Sequence, residues 1–254
     1  MASPLISVVT VCLNAERYIE QTIQSVLGQS WQRLEYIIVD GGSTDKTVDI
    51  INRYREHLAR FVSEKDEGIA DAMNKGLALA RGDYVLFLQA DDYLQNSRSL
   101  ELSMGFLDNT ADLLACGIQY GKRLETYYPR WFHFWTLFKQ GLYHQGTLCR
   151  RLFLNEMGGF DKQFRIAMDY DFFLRAYQNR ARLVLAPVIL SVMRDTGISS
   201  RRRWTDLKVR FAEERRVHEK NCSSALMGLV YRVYWFLYLP YRRARYLMER
   251  GGGH

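Results

Sequence analysis

The stretch "DEGIADAMNKGLALARGDYVLFLQADD" (66–92) decides the fold. Its first half sets Ile69, Ala72, Met73 and Leu77 at helical spacing, and Gly82 stops the helix. Its second half, Tyr84 to Leu88, is an unbroken apolar run without the polar alternation of a half-buried strand. A strand buried on both faces belongs to a parallel sheet covered by helices. The run then ends in Gln89, Ala90, Asp91 and Asp92. In isolation these carboxylates read better as a turn with an Asp92 helix cap than as ligands for a cation.

Working upstream, the same strand-and-helix unit recurs. Strands are expected at "LISVVTV" (5–11), "LEYIIVD" (34–40) and "RFVSE" (60–64). A helix is expected over 15–29, and a second follows the loop "GGSTDKT", with Ser43 or Thr44 placed to cap it and Asp45 in its first turn. The order β-α-β-α-β-α-β implies an α/β fold with a doubly wound, mostly parallel sheet. Ligands bind such sheets at the carboxyl ends of the strands. Here those ends deliver Asn14, then Asp40 to Ser43, then Glu64 to Glu67, then Gln89 to Asp92.

Downstream, "ADLLACGIQY" (111–120) reads as a strand and "YYPRWFHFWTLFKQG" (127–141) is dense in aromatics. Helices are expected over 150–157, ended by Gly158-Gly159, and over 169–179, with a strand at "ARLVLAP" (181–187). A basic helix follows from Trp204 to Lys220. The expected division is an α/β domain over 1–200 and a basic, aromatic helical extension over 201–254, with "RGGGH" as a disordered tail.

The chain has 254 residues and a formal net charge of +7, with arginines concentrated after Arg194 in Arg201-Arg202-Arg203, Arg215-Arg216 and Arg242-Arg243. That asymmetry points to an anionic partner. Nucleic acid is disfavoured, because no recognition module is present and the aromatics form an apolar block. Cys12, Cys116, Cys149 and Cys222 are isolated, so neither a zinc site nor a disulfide framework is indicated and a reducing compartment is expected. "PLISVVTV" reads as a strand, not a signal peptide. The segment "SALMGLVYRVYWFLYLPYRRARYLM" (224–248) is interrupted by Arg232 and contains Pro240. A span needs about 20 mostly apolar residues. The choice is therefore between an element lying on an anionic bilayer surface and a helix packed on a core or a subunit.

Three further stations carry polar chemistry. In "VDGGSTDKT" (39–47) the glycines allow close backbone approach, but neither GxGxxG nor GxxxxGK[ST] occurs. In 64–76, Asp71 and Lys75 are four apart: a surface ion pair, or a polar face offering Lys75 to phosphate and Asp66 and Asp71 to hydroxyls. In 158–177, Asp169 and Asp171 open an apolar helix, either stabilised by its dipole or supplying a general base. His144 and Gln145 lie upstream.

In this order, "SVVTVCLNAERYIEQTIQSVLGQSW", "EYIIVDGGSTDKT", "EKDEGIADAMNKGLALARGDYVLFLQADD", "HQ" and "GGFDKQFRIAMDYDFFLRA" resemble family 2 glycosyltransferases of the GT-A, Rossmann-like fold, over residues 5–195. The likeness is to bacterial members that build O-antigen, capsule or exopolysaccharide. It implies inverting transfer of a sugar from a nucleoside-diphosphate sugar (UDP favoured, GDP possible) to an acceptor hydroxyl. It places Val11, Leu13 and Asn14 at the base pocket and Asp40 on the base. Asp66, Asp71 and Lys75 fall on the donor side, and "QADD" on the D-x-D stretch, with Asp91 holding Mn²⁺ or Mg²⁺ and Gln89 and Ala90 on the nucleotide. Asp169 takes the position of the catalytic base, and His144 and Gln145 the acceptor side.

Two positions depart from the family pattern. Gln89 replaces the first aspartate of D-x-D, leaving the cation one carboxylate. Met168 replaces the glutamate of E-D, removing a charge that would favour the protonated form of Asp169. The implied acceptor is a saccharide on a lipid diphosphate, met by a protein peripheral on the cytoplasmic face of a bacterial plasma membrane. The competing readings are a binding-only sugar-nucleotide protein and a nucleotidyltransferase; the latter should carry a basic glycine-rich loop after its first strand, which "TVCLNAERY" lacks.

Overall fold

The computed structural model describes residues 3–108, 110–129, 132–197, 200 and 203–251. Arg201 and Arg202 of the first arginine cluster, Arg130 and Trp131 of the aromatic stretch, and residues 252–254 of the tail lie outside them. The chain divides into two compact units, Met1–Gly197 and Ile198–His254.

The first unit opens with the expected alternation: β1 (Ile6–Cys12), α1 (Ile19–Leu27), β2 (Leu34–Asp40), α2 (Thr47–Asn52), β3 (Arg60–Ser63), α3 (Ile69–Leu79) and β4 (Tyr84–Gln89). There follow β5 (Tyr93–Leu94), α4 (Ser99–Met104), β6 (Leu113–Tyr120), β7 (Glu125–Tyr127), β8 (Thr147–Arg150), α5 (Arg151–Glu156), α6 (Met168–Gln178) and β9 (Leu183–Met193). They form one sheet in the order β3-β2-β1-β4-β8-β6-β9-β5, with β7 on β6. Strands β1 to β4 pair in parallel, as do β6 and β9; β8 runs antiparallel to both β4 and β6.

Helices cover both faces, as the unbroken apolar strands require. On one face Ile6, Val8 and Cys12 of β1 join Ile19 and Ile23 of α1, Ile51 of α2 and Leu100 of α4 in one core. On the other, α3 lies so close that a Cβ on Gly76 would come within 2.2 Å of Val9 Cγ1.

Two local expectations are corrected. Neither Ser43 nor Thr44 caps α2: the helix starts at Thr47, whose N–H is taken by Asp45 Oδ1 at 2.9 Å, while Ser43 turns back to Asp40. The strand expected to stop at Pro187 continues to Met193. A bulge makes this possible, since pairing steps from Cys116–Ala186 to Gly117–Ile189 and leaves Pro187 out of the ladder. That extension carries the chain to the edge where β4 ends.

The second unit is an antiparallel helical hairpin, α7 (Trp204–Lys220) and α8 (Ala225–Gly251). Ring contacts run its length: Trp204 with Tyr246, Phe211 with Tyr238, His218 with Tyr231. The His218 ring is fully buried, stacks on Tyr231 at 4.3 Å, and accepts from Trp235 Nε1 at 2.9 Å through Nδ1. Burial pushes its pKa down to about 3 from the ordinary 6.5. With the folded value below the unfolded one, the neutral ring's contribution is present above pH 6.5 and lost as pH falls toward 3. Between pH 7 and pH 5 this unit is expected to lose about 2 kcal/mol of stability. Denaturant unfolding followed by tryptophan fluorescence checks this, and equal midpoints at both pH values would rule it out.

Among the described residues no helix is long and apolar enough to cross a membrane. Helix α8 also carries an apolar stripe at helical spacing, with Leu226, Val230, Val233, Leu237 and Tyr241 all exposed.

Candidate active site

Strand register builds the site. Cys12 lies beside Asp40, Asp40 beside Ser63, and Val11 beside Gln89, so β1 to β4 end on one edge. β9 ends on the same edge and delivers Arg194: its N–H donates to Asp92 Oδ1 at 2.9 Å and its guanidinium to Asp91 O and Gln21 Oε1. Tyr18 and Tyr93 flank that guanidinium at 4.6 and 4.7 Å. Arg194 had no sequence signal beyond following a strand, and the strand's true end was hidden by Pro187.

The first and second strand ends are sewn together. Asn14 adopts a left-handed backbone (φ 50°), its N–H donates to Ser43 Oγ at 2.8 Å, and its Oδ1 accepts from Thr44 N at 2.9 Å. Asp40 is fully buried and accepts from the N–H groups of Gly42 and Ser43 and the hydroxyls of Ser43 and Ser63. Burial alone would raise its pKa, but the donors from Ser43 and Ser63 outweigh it and hold the carboxyl below the usual range. Asp40, expected on the base, is thus the acceptor that organises this loop. Of the other residues expected at the base pocket, Val11 is buried and Leu13 is 57% exposed at the strand's mouth.

The third station is a charge cluster. Asp66 packs over Gly41, where a Cβ would meet its Oδ2 at 2.2 Å, and accepts from Gly68 N at 2.8 Å. Lys75 contacts Glu64 at 2.8 Å and Asp71 at 3.6 Å, so the cation read as available for phosphate is engaged by carboxylates in this structure. Asp71 also meets Lys162 at 3.2 Å; the Glu67 N–H, then Lys162 and Lys75, lower its pKa. Asn74 bonds both the N–H and C=O of Phe160, tying α3 to the turn before α6. Gly159 (φ 67°) is needed there, since a Cβ would strike Asn74 Oδ1 at 2.5 Å.

At the fourth strand end the adjacent residues separate. Asp91 is partly exposed and accepts from Thr196 Oγ1. Asp92 is buried, bonded to Gln145 Nε2 at 3.2 Å and to Arg194; burial and then the neighbouring Asp91 charge drive its pKa well above the usual value. The helix-cap alternative for Asp92 is therefore replaced by an interior brace. Gln145, expected on the acceptor side, is buried on Asp92, and Ala90, expected on the nucleotide, lies in the core with its C=O taken by Thr22 Oγ1.

Asp169 sits in the first turn of α6. Its Oδ2 accepts from Gln140 Nε2 and faces His144 Nδ1 at 3.2 Å, while Oδ1 accepts from Tyr170 N at 2.8 Å. On the far side of the ring, His144 Nε2 meets the Gln89 amide nitrogen at 3.2 Å. So Gln89, expected on the nucleotide, points to His144, and His144 faces Asp169. Gln140 was missed because its aromatic-rich stretch has no regular period. Met168 is buried where the family carries a glutamate, and Asp171 is buried and clamped to Arg175 at 2.8 Å. The arrangement offers an oriented carboxylate acceptor, linked through His144 to Gln89 of the strand end that also carries the partly exposed Asp91. Among the described residues no three His, Cys, Asp or Glu side chains gather to hold a metal. The donor set fits only an ion that brings other oxygen ligands with it.

The family model for glycosyl transferase family 2 matches residues 7–181. A Mycobacterium bovis protein named PGL/p-HBAD biosynthesis glycosyltransferase is 32% identical over 191 residues, covering 71% of this chain and 73% of its own. Among solved structures, S. aureus TarS 1-349 in complex with UDP-GlcNAc superposes with a TM-score of 0.65 at 22% identity, over 76% of this chain and 59% of that one. Mannosyltransferase PcManGT from Pyrobaculum calidifontis, in complex with GDP-Man and Mn²⁺, gives 0.69 at 18% identity over 100% and 77%. These likenesses show the GT-A-like fold.

Proposed function

The chain belongs to glycosyl transferase family 2, and from that premise we propose that it moves a sugar, with inversion, from a nucleoside-diphosphate sugar to an acceptor hydroxyl. The observation that carries the reading is the contact path from the D-x-D stretch to α6: Gln89 touches His144, and His144 touches Asp169. It supports Asp169 as the base by linking it to the strand end that carries Asp91.

In this mechanism Asp169 takes the acceptor's proton as its oxygen attacks the anomeric carbon opposite the diphosphate. Gln140 and His144 keep the carboxylate aimed, and the loop held by Asn14, Asp40 and Ser43 receives the nucleotide beside Leu13. Asp91 is the residue that would hold Mn²⁺ or Mg²⁺ together with the donor's diphosphate, and such an ion supplies charge neutralisation of the leaving group. UDP-sugars are the favoured donors and GDP-sugars the second choice. A donor panel with a lipid-diphosphate saccharide acceptor tests the reading by release of nucleoside diphosphate. Release from no donor, with donor binding intact, would favour the binding-only protein.

The second unit supports the reading of a lipid-linked acceptor. The exposed apolar stripe of α8, with Arg232 and Arg243 also exposed, suits a membrane surface bearing anionic lipid. The protein is then peripheral on the inner face of the bacterial plasma membrane, acting in polysaccharide or glycolipid assembly. Co-sedimentation with vesicles containing acidic phospholipid should fall about tenfold in Val233→Glu/Leu237→Glu. Unchanged sedimentation, or a lipid-independent dimer lost in that variant, would assign the stripe to a partner subunit.

A further inference from the structure

We propose that Gln89 is a positioning residue that, with Asp169, holds His144 in the tautomer whose Nδ1–H donates to that carboxylate. The inference rests on the reading of Asp169 as the base, but its first test does not require transfer activity.

The geometry is a three-member line. The Gln89 amide nitrogen lies 3.2 Å from His144 Nε2, and His144 Nδ1 lies 3.2 Å from Asp169 Oδ2. An amide nitrogen only donates, so Nε2 must present its lone pair. A neutral imidazole carries one proton, which then sits on Nδ1 and points at the carboxylate. The reversed amide is self-consistent only with a charged ring. With Gln89 Oε1 facing a neutral His144, the proton moves to Nε2, and the bare Nδ1 faces a carboxylate oxygen, acceptor against acceptor. The ring is held in place: His144 is 9% exposed and Gln145 beside it is anchored to Asp92. The amide nitrogen also rests 3.8 Å from Met73 Sδ, a weak acceptor that supports the same orientation.

The replacement of a carboxylate by Gln89 then has a purpose at this site. An aspartate or glutamate at 89 would draw the second proton onto His144 and set an imidazolium against the base. Gln89 also occupies Nε2, so His144 does not carry the acceptor's proton onward. As the acceptor O–H breaks, its proton forms an O–H on Asp169 and leaves from there after the product departs, while the anomeric carbon's bond to the diphosphate breaks and its bond to the acceptor oxygen forms.

Nitrogen-15 NMR of the full chain near pH 7, with the His144 signals assigned from a His144→Phe spectrum, reads the tautomer directly. The expected result is a protonated Nδ1 and an unprotonated, hydrogen-bonded Nε2; in Gln89→Leu the Nε2 signal shifts to that of a lone pair without the amide donor, and in Gln89→Glu the ring becomes imidazolium. Both variants should lower kcat about tenfold, the order set by loss of an outer hydrogen bond to a working group, with donor KM within about twofold. An Nε2–H or imidazolium form in the unsubstituted chain overturns the proposal, as does an unchanged Nε2 signal in Gln89→Leu. Failure of the function itself shows separately, as no nucleotide release by the unsubstituted chain.

Discussion

Asp169→Asn is expected to lower kcat for sugar transfer by about 10³-fold while donor affinity stays within about twofold. The size follows from the base being a single group. Its neighbours Gln140, His144 and the Tyr170 N–H are donors aimed at it, and none of them is placed to take the proton instead. The substitution should leave the fold intact. The asparagine Oδ1 can accept from Gln140 and His144, and α6 is anchored independently by the Asp171–Arg175 clamp, whose guanidinium also bonds Gly159 O at 2.7 Å. Single-turnover rates together with calorimetric donor titration separate the two effects. Loss of donor binding in step with loss of rate would make Asp169 a donor-site residue and not the base.

The second large effect is expected at Asp91. Asp91→Ala should cost about 10²-fold in kcat/KM measured with Mn²⁺, and flatten the dependence on added metal. The control is its neighbour. Asp92→Asn should leave the metal dependence unchanged, because Asp92 is buried, braced by Gln145 and Arg194, and turned into the protein. Its raised pKa makes a further distinction. The folded value lies above the unfolded one, so the charged Asp92 destabilises progressively as pH rises from about 4 through that window. Asp92→Asn removes that dependence without touching the metal response. Equal metal sensitivity in the two variants would shift the cation from Asp91 to the pair.

Much of the architecture was legible because it follows from local periodicity. Continuous apolar strands and helices of matched period place β1 to β4 and their helices within a few residues, and the basic helix at Trp204–Lys220 is found with the bounds expected. The strand-end rule likewise gathers Asn14, Asp40, Glu64 and Gln89 to one edge. The cap of α2 was not legible, since Ser43 had two possible partners and the buried Asp40 carboxylate, which period alone does not reveal, took it.

The sequence by itself determined the alternation of elements, the parallel core and which residue types reach the sheet edge, because burial on both faces leaves its mark in every strand. Only the tertiary structure decided what those residues do once there. Asp91 and Asp92 are chemically identical neighbours, yet one meets solvent and the other a buried glutamine, because the chain turns between them. Gln140 and His144 converge on Asp169, Gln89 on His144, and Arg194 on Asp91, through contacts between residues far apart in the chain, with no repeating pattern to announce them. The bulge that removes Pro187 from the ladder, and so carries β9 to the site, exists only in the pairing of two strands.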